Sequence, residues 1–295
     1  RYPGRAGVEG LPINSMVRAG GLVFSGIDRL DLAASCACGQ CFRWLPDPDT
    51  DGAWQGVAHG RSVTARQEGN SLYIRPAPAA DAALWADYFD LGREYAAIEA
   101  QLLGDERLRP AYGAARGIRI FCQEPFETLV SFIISANNNI PRIRGIVERL
   151  CALAGEPLGS DVYAFPAPEA LARLSEADLR RIGAGYRAPF ILGSARRVTE
   201  GFDLEALRAV PLGEARKALC TLPGAGPKVA DCVALFSLGH TAAFPMDVWM
   251  KRAVKALLFG GQEATAKELA QAIADLGKDA GILQQYIFHY ARQNL

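Results

Sequence analysis

The stretch "LCTLPGAGPKVADC" (residues 219–232) joins two helical patterns through a short turn. The first pattern ends near Cys220, and Pro227 suits the first position of the helix that follows. The intervening "LPGAG" supplies two glycines that can adopt positive φ. Apolar side chains then recur at helical spacing on one face of the second helix: Val229, Cys232, Val233 and Phe236. The pattern predicts a helix-hairpin-helix whose free N–H groups suit a phosphate, although a packing turn without a ligand fits equally well.

Two residues around this hairpin carry groups suited to catalysis. Lys228 falls in the first turn of the second helix, where the macrodipole and a packed environment both favour the neutral, nucleophilic amine. A surface lysine that binds phosphate is the alternative. Asp247, in "AFPMDVWMKRAVKALL", precedes an amphipathic pattern and also suits a helix N-cap. Nineteen residues, one helix and one loop separate the pair, so both side chains can reach one pocket.

The rest of the chain divides into a strand-rich start and a helical remainder. Five short β-branched or aromatic runs are separated by turn residues: "GGLVFSG", "CFRWL", "AWQGVAH", "RSVTARQ" and "SLYIRP". From about Asp81 the period is helical; "PFETLVSFIISA" opens with Pro125, "IPRIRGIVERLCALAG" ends at Gly155, and "SEADLRRIGAGY" begins with a Ser-x-x-Asp cap. We therefore predict an α+β fold, in which an N-terminal antiparallel β-sheet domain is followed by a mainly α-helical body.

We expect three stretches in this fold. Residues 1–108 form the β-rich domain, residues 109–228 form a helical domain that ends in the hairpin, and residues 229–295 complete an active-site cleft.

Composition narrows the class of protein without identifying a partner. The 295 residues are 50% hydrophobic and 22% charged, with a formal net charge of zero, as in ordinary soluble proteins. No run of eighteen apolar residues occurs, so we expect no membrane span. No secretory pattern opens the chain, so we expect an intracellular protein, in a bacterial cytoplasm or, in a eukaryote, the nucleus. The chain begins at Arg1, and Met16 is a candidate start.

Three of the seven cysteines fall within "CACGQCFRW" (residues 36–44). The chain has only three histidines, well separated, and no second cysteine pair at zinc spacing, so a structural zinc is disfavoured. Nothing nearby in the sequence favours a thiolate, which disfavours a redox pair. We interpret Cys36, Cys38 and Cys41 as small buried side chains at the entry to a strand.

Six motifs resemble, in order, those of 8-oxoguanine DNA glycosylases of the helix-hairpin-helix, Gly/Pro…Asp superfamily. They are "GQCFRW", "SANNNIPRI", "GAGYRA", "LCTLPGAGPKVADC", "PMDV" and "AGILQQYIFHYAR". The resemblance runs from about residue 20 to the C terminus. It implies a bifunctional enzyme that extrudes 8-oxoguanine from its pair with cytosine, excises it and nicks the strand by β-elimination. Lys228 would form a Schiff base at C1′, and Asp247 would stabilise the cationic sugar and orient the amine.

The same resemblance assigns the walls of a base pocket. The carbonyl of Gly39 would accept from N7–H of 8-oxoguanine, whereas guanine presents a lone pair there; a mismatch of this kind costs about 1–3 kcal/mol. Phe288 and Cys232 would face the two sides of the base, and Gln284 would bind its Watson–Crick edge. Taken alone, each residue has an ordinary alternative: a turn glycine, two core side chains and a surface amide.

The DNA interface also follows from the resemblance. Asn137 would enter the gap left by the extruded base, Tyr186 would stack beside it, and Arg142 and Arg187 would read the orphaned cytosine. Gly224 and Gly226 would hold the backbone near phosphate. The carbonyls of Cys220, Leu222 and Ala225 match positions that often hold a structural cation, which we do not expect to be required. We expect no other cofactor, no iron–sulfur cluster, and a monomer that binds double-stranded DNA.

Two positions depart from the family pattern. Trp249 replaces a frequent histidine, which puts a phosphate contact in doubt, and Phe236 replaces a more flexible pocket residue.

Two other kinds of protein remain alternatives. One is a related base-excision glycosylase, disfavoured because no cysteine follows Cys232 for an iron–sulfur cluster and because Lys228 is present. The other is a non-catalytic DNA-binding module that uses the hairpin only to hold phosphates.

Overall fold

The computed structural model describes residues 14–18, 20–159 and 161–295. Within them, six strands form an N-terminal sheet that is antiparallel throughout, in the order β1-β2-β6-β5-β4-β3. The strands are β1 (Asn14–Arg18), β2 (Gly21–Ser25), β3 (Trp44–Pro46), β4 (Ala53–Ala58), β5 (Arg61–Glu68) and β6 (Ser71–Arg75). All five predicted runs therefore form strands, and β1 is an addition that the sequence patterns did not predict.

One face of the sheet covers a small apolar core. In β5, Val63 and Ala65 are buried, whereas Arg66, the next residue along the strand, is exposed. This alternation with a period of two is expected for a strand with one buried face. Trp44 of β3 pairs with Gly56 of β4. A Cβ on Gly56 would come within 2.3 Å of the indole, so the glycine makes room for this buried ring.

Helices make up most of the remaining chain. In order, they are α1 (Leu32–Ala37), α2 (Ala82–Tyr88), α3 (Tyr95–Gly104), α4 (Arg109–Ala115), α5 (Pro125–Ser135), α6 (Ile140–Ala154), α7 (Pro168–Ala172), α8 (Glu176–Arg181), α9 (Ala188–Thr199), α10 (Leu212–Leu219), α11 (Pro227–Phe236), α12 (Val248–Leu258), α13 (Ala266–Asp275) and α14 (Ala280–Asn294). A two-stranded ribbon, β7 (Pro157–Gly159) and β8 (Val162–Tyr163), follows α6. The predicted α+β fold is confirmed.

The helix boundaries follow the local chemistry of the sequence. Pro125 opens α5, and Gly155 caps the end of α6, as predicted. Ser175 and Asp178 form a reciprocal capping box at the start of α8. The predicted start of helical structure near residue 81 is also confirmed, because a short 3₁₀ turn at residues 79–81 leads into α2.

The hairpin between α10 and α11 lies inside the helical body. Helix α11 is central, since every residue from Val229 to Phe236 is buried, and it packs against α5 and α10. Arg216 of α10 donates from Nε to Oδ1 of Asp231 on α11 at 2.6 Å, which ties the two helices together. Across the turn, the hydroxyl of Ser194 donates to the carbonyl of Pro223 at 2.7 Å. The hairpin is thus held by packing and by polar contacts on both sides.

Two local predictions need correction. Gly224 adopts positive φ (+80°), but Gly226 does not; it is the N-cap of α11 with extended backbone (φ −70°, ψ 178°), because the helix that begins at Pro227 needs an extended residue before it. The three clustered cysteines are buried, but Cys36 lies within α1 and Cys38 ends that helix, so only Cys41 precedes a strand. Asp31 caps α1 by accepting from the N–H of Ala34, a start signature that the strand-rich surroundings concealed.

The predicted division into three stretches stays a prediction. Helix α11 runs continuously through the boundary between residues 228 and 229, while α3 and α4 contribute side chains to the apolar core of the helical body. Across the described ranges, no helix is long and apolar enough to cross a membrane. The predicted cellular location and the proposed start at Met16 also stay predictions.

Candidate active site

A cavity of about 400 Å³ lies where the hairpin, the start of α12 and the helix α14 meet. The structure brings six predicted residues to its wall, although they come from four separate parts of the chain. They are Gly39, Lys228, Cys232, Asp247, Gln284 and Phe288. The predicted convergence of the lysine and the aspartate on one pocket is therefore what the fold produces.

Lys228 is held at the cavity wall by groups on α5. It occupies the second position of α11, and its Nζ donates to the hydroxyl of Ser135 at 3.2 Å. The same Nζ lies 4.9 Å from the ring centroid of Phe132, which in turn stacks on Phe236 at 5.4 Å. The lysine is half-buried and has an aromatic face on one side. Its amine is therefore positioned toward the cavity without a carboxylate partner among the ion pairs of the described residues.

Asp247 is the N-cap of α12. Its Oδ1 accepts from the N–H of Met250 at 2.8 Å, so the predicted capping role is confirmed. One carboxylate oxygen is thus engaged by the helix N terminus, and the half-buried side chain still lines the cavity. The helix dipole favours the negative charge at this position. A fixed carboxylate of this kind can stabilise positive charge that develops on a ligand in the cavity.

Cys232 lies one helical turn beyond Lys228 on the same helix. Burial raises the pKa of its thiol to about 11, although the positive charge of Lys228 opposes that shift. The side chain is therefore a neutral thiol at physiological pH. It offers a small, polarisable apolar surface to a planar ligand.

Gln284 presents one unsatisfied polar atom in this region. The amide is almost fully buried, and its Nε2 donates to the carbonyl of Pro245 at 3.2 Å. Its Oε1 is buried without a hydrogen-bond partner in the described structure. An unpaired buried acceptor costs about 1–3 kcal/mol, and a donor on a molecule in the cavity that reached this oxygen would remove that cost. Phe288 follows one turn later on α14 and also lines the cavity.

Gly39 adopts a backbone conformation that favours glycine. Its φ is +93°, in the left-handed region. A Cβ built there would lie 3.7 Å from Cε1 of Phe288 and 3.5 Å from Cδ1 of Ile140, which is ordinary contact. The glycine is therefore required by the backbone conformation rather than by lack of space.

The predicted opposite-base residues surround the turn after α5; none of the four lines the cavity, although Asn138 and Asn139 of the same turn do. Asn137 follows α5, is exposed and has positive φ (+49°), while Arg142 is exposed in the first turn of α6. Tyr186 is exposed and donates from its hydroxyl to the carbonyl of Ala136 at 3.2 Å. Arg187 is buried: its Nε donates to that same carbonyl at 3.0 Å, and its Nη2 donates to the carbonyl of Asn137 at 3.1 Å.

These contacts bear on the four predicted roles in different ways. Asn137, Arg142 and Tyr186 are accessible to a duplex, whereas the guanidinium of Arg187 lies beneath the turn and supports it. To read cytosine, the guanidinium of Arg187 would have to break its hydrogen bonds to the carbonyls of the turn and donate to the base instead. All four roles stay predictions.

The turn of the hairpin is accessible at its tip. Gly226 is exposed, and Gly224 packs closely, since a Cβ on it would lie 2.8 Å from Cβ of Phe190. The carbonyl of Leu222, one of the three predicted cation ligands, already accepts from the N–H of Ala225 at 3.1 Å. A carbonyl oxygen has a second lone pair, so this bond leaves Leu222 able to join Cys220 and Ala225 in binding a cation, and the site stays a prediction.

Sequence patterns did not identify several residues at this site. Ser135 and Phe132 contact Lys228, and Gln285 and Arg292 line the cavity beside Gln284 and Phe288. Ser135 could have been identified because it opens the "SANNNIPRI" motif at the end of an apolar helix. The two departures, Phe236 and Trp249, both line the cavity as well.

Family models match two consecutive parts of the chain. Residues 23–129 match the N-terminal domain of 8-oxoguanine DNA glycosylase, and residues 130–279 match the HhH-GPD superfamily of base excision DNA repair proteins. The first match runs from within β2 through β3 to β6 and α1 to α4 into the start of α5. The second contains the hairpin, Lys228 and Asp247.

Relatives with curated names agree with this match. N-glycosylase/DNA lyase OGG1 of Arabidopsis thaliana is 41% identical over 189 residues, which span 59% of this chain and 52%, about half, of that protein. A probable N-glycosylase/DNA lyase of Methanothermobacter thermautotrophicus is 31% identical over 229 residues, which span 70% of this chain and 72% of that protein.

Solved structures are similar over almost the whole chain. MBOgg1 in complex with a low affinity DNA ligand has a TM-score of 0.90 and 39% identity, covering 95% of this chain and 98% of that one. The Clostridium acetobutylicum 8-oxoguanine glycosylase/lyase, in complex with double-stranded DNA containing cytosine opposite 8-oxoG, has a TM-score of 0.88 and 33% identity, covering 96% and 98%. By family models, relatives and fold, the chain belongs to the 8-oxoguanine DNA glycosylases of the HhH-GPD superfamily of base excision DNA repair proteins.

Proposed function

We propose that this protein is a bifunctional DNA glycosylase and lyase that excises 8-oxoguanine paired with cytosine and then nicks the abasic strand. The observation that carries the proposal is the convergence of the Lys228 amine and the Asp247 carboxylate on one cavity with the unpaired Oε1 of Gln284. A module that only binds phosphate has no use for this combination. Relatives named as glycosylase/lyases support both activities.

Recognition begins with extrusion of the damaged nucleotide. A base inside a duplex cannot reach a cavity bounded by α11 and α14, so it must leave the stack. The turn at residues 136–139, with the exposed Asn137 and Tyr186, faces the position from which it leaves. The cavity of about 400 Å³ accommodates a purine. Inside it, Oε1 of Gln284 accepts from the Watson–Crick edge, the ring of Phe288 and the neutral thiol of Cys232 contact the faces, and the Gly39 carbonyl accepts from N7–H.

The chemical steps then use two side chains. Nζ of Lys228 forms a bond to C1′ as the N-glycosidic bond breaks, and the bonding electrons leave with the base, which gains a proton from the new ammonium. Asp247 stabilises the positive charge that develops on the sugar. The sugar ring opens to a protonated imine, which acidifies the C2′ proton. Transfer of that proton to water breaks the C3′–O bond, whose electrons leave with the phosphate, so the strand on the 3′ side departs with a 5′ phosphate. Water then hydrolyses the imine, which frees the Lys228 amine and leaves a 3′ unsaturated aldehyde on the other strand end.

The remaining assignments follow from this reaction. We propose that the enzyme acts as a monomer, needs no cofactor for the chemistry, and uses the hairpin tip at Gly224 and Gly226 to hold a phosphate. A cation bound by the carbonyls of Cys220, Leu222 and Ala225 would bridge the hairpin to the same phosphate. Chemistry at C1′ requires nothing from that cation.

Product analysis on a set of duplexes tests the proposal. We expect a nick with a 3′ unsaturated aldehyde from 8-oxoguanine opposite cytosine, and far less product when adenine is opposite. Arg142→Ala and Arg187→Ala are expected to reduce this preference for cytosine. Equal or greater cleavage of duplexes with thymine glycol, 3-methyladenine or adenine opposite 8-oxoguanine would contradict the proposal and favour a different base-excision glycosylase.

A further inference from the structure

The loop that contains Gly39 is anchored by three buried glutamines. Gln285 of α14 donates from Nε2 to the carbonyl of Cys38 at 3.1 Å. Gln123 donates from Nε2 to the carbonyl of Gln40 at 2.7 Å. The Gly39–Gln40 peptide is therefore flanked by two peptide groups, Cys38–Gly39 and Gln40–Cys41, whose carbonyls each accept a hydrogen bond from a side-chain amide. All three glutamines are buried, at 0–7% exposure.

The side chain of Gln40 is itself fixed at both ends. Its Nε2 donates to the carbonyls of Ser35 and Arg119, each at 2.8 Å, and its Oε1 accepts from the N–H of Phe121 at 2.8 Å. Residue 40 therefore cannot rotate without breaking three buried hydrogen bonds. Gln285, by contrast, makes its contact from the helix that also supplies Gln284 and Phe288 to the cavity.

This anchoring matters because one peptide unit can present either a hydrogen-bond acceptor or a donor to the base, depending on its orientation. The Gly39–Gln40 peptide carries the carbonyl of Gly39 and, on its opposite side, the N–H of Gln40. Rotating that unit by half a turn replaces an acceptor with a donor. 8-Oxoguanine offers N7–H and needs the acceptor, whereas guanine offers an N7 lone pair and would accept from the donor. A flipped peptide would therefore favour the undamaged base.

Glycine is the residue that resists such a rotation least. Gly39 has no Cβ and already adopts positive φ (+93°), so its own conformation does not prevent a flip. The restraint comes from the groups around it: the N–H of Gln40 bonds to the Cys38 thiol, and the two neighbouring peptides are held as well. On the Cys38 side, the backbone N–H bonds to the carbonyl of Ala34, and the carbonyl is held by Gln285.

We propose that Gln285 is a positioning residue that fixes the orientation of the Gly39 carbonyl and so sets the preference for 8-oxoguanine over guanine. Although Gln285 also lines the cavity, its amide is committed to the Cys38 carbonyl, and it acts on the Gly39 peptide through that carbonyl. This inference rests on the proposed function, since it requires the Gly39 carbonyl to read N7. It adds the group that keeps this carbonyl in place.

Gln285→Met tests the proposal because methionine keeps the length of the side chain and removes the donor. In a Lys228→Gln background, which cannot complete the reaction, equilibrium affinities are measured for duplexes with 8-oxoguanine or guanine opposite cytosine. We expect the ratio of the two affinities to fall by about tenfold, the effect of losing one buried hydrogen bond. With Lys228 intact, nicking of a preformed abasic site opposite cytosine should keep its wild-type rate, because no base is present to be read.

Matched variants separate positioning from general packing. Gln271→Met changes an exposed glutamine on α13 and should leave the affinity ratio unchanged. Gln123→Met frees the peptide on the other side of Gly39 and should lower the ratio in the same direction, which provides a second test if Gln285→Met does not fold.

Two outcomes would overturn the inference: an unchanged affinity ratio in folded Gln285→Met, or a parallel loss of base excision and abasic-site nicking, which indicates a merely structural role. Failure of the proposed function is distinguishable, because Lys228→Gln with Gln285 intact would then show no preference for 8-oxoguanine at all.

Discussion

At the scale of single residues, Gly39 combines the carbonyl that we propose reads N7 with a conformation that other residues rarely adopt. Gly39→Ala should cost about 1–3 kcal/mol of unfolding free energy from positive φ alone, because a Cβ meets only ordinary contacts. It should also reduce 8-oxoguanine excision if the peptide rotates to relieve strain. Gly113→Ala, at an exposed helical glycine in α4, should instead stabilise the protein. Urea unfolding of both variants measures the difference, and equal effects would contradict the assignment.

Trp249 gives a second prediction at this scale. Its ring lines the cavity, is 44% exposed and lies 5.3 Å from the guanidinium carbon of Arg252. The other three tryptophans are buried in the N-terminal part of the chain. We expect Trp249 to stack on the bound nucleotide, so that fluorescence falls when Lys228→Gln binds a damaged duplex. Adding Trp249→Ala should remove the change and weaken binding by about 1–3 kcal/mol. Equal quenching without Trp249 would show that the ring does not contact DNA.

At the scale of elements, the hairpin offers two glycines with opposite requirements. Gly224→Ala should cost about 2–3 kcal/mol, because positive φ is combined with a Cβ only 2.8 Å from Phe190. Gly226→Ala should cost less than about 1 kcal/mol, because its backbone is extended and a Cβ there meets nothing within 4 Å. Denaturant unfolding compares the pair directly. Similar losses at both positions would mean that the turn is not held as described.

The same scale shows what sequence reasoning can reach. Helix ends that depend on local chemistry were predicted correctly. They are the start of α5 at Pro125, the end of α6 at Gly155 and the start of α8 at the Ser175–Asp178 capping box. Helix α1 was missed because its six residues are too few for a helical period and its cysteines suggested a strand entry. Strands β7 and β8 were missed because pairing between two or three residues leaves no pattern.

At the scale of the whole molecule, the N-terminal sheet and the helical body meet around Glu127 of α5. Nη1 of Arg43, from the segment before β3, lies 3.8 Å from the carboxylate Oε2, and Arg43 also donates to the carbonyl of Tyr163. Burial raises the pKa of Glu127 from 4.5 to about 7; the charge of Glu124 adds to the shift, and Arg43 opposes it. This carboxyl therefore makes the stability of the junction depend on pH.

The sign of that dependence is fixed by the direction of the shift. Because the folded-state pKa is raised, the folded chain holds a proton that the unfolded chain loses between about pH 4.5 and 7. Stability from this group therefore falls as pH rises through that window, by up to about 3 kcal/mol. Glu127→Gln should remove this component in urea unfolding at several pH values. Glu148→Gln, exposed on α6, is the control, and identical pH profiles for wild type and Glu127→Gln would contradict the account.

Assembly of the site also belongs to this scale, and it limits what the sequence can predict. Lys228 and Asp247 could be paired because one helix and one loop separate them. Gln285 and Cys38 are 247 residues apart, and only the packed fold brings them together. The glutamines that hold the peptide groups beside Gly39 were missed for that reason. In the sequence alone, each of the three also resembles a surface amide.

Borohydride trapping on a duplex with 8-oxoguanine opposite cytosine tests the central claim most directly. The reagent reduces the imine between enzyme and C1′ to a stable bond, so a covalent complex reports the attacking amine. Wild type and Lys267→Gln, which changes an exposed lysine on α13, should both give the complex, and Lys228→Gln should give none. Equal yields from wild type and Lys228→Gln, or no complex with any of the three proteins, would contradict the assignment of Lys228 as the nucleophile.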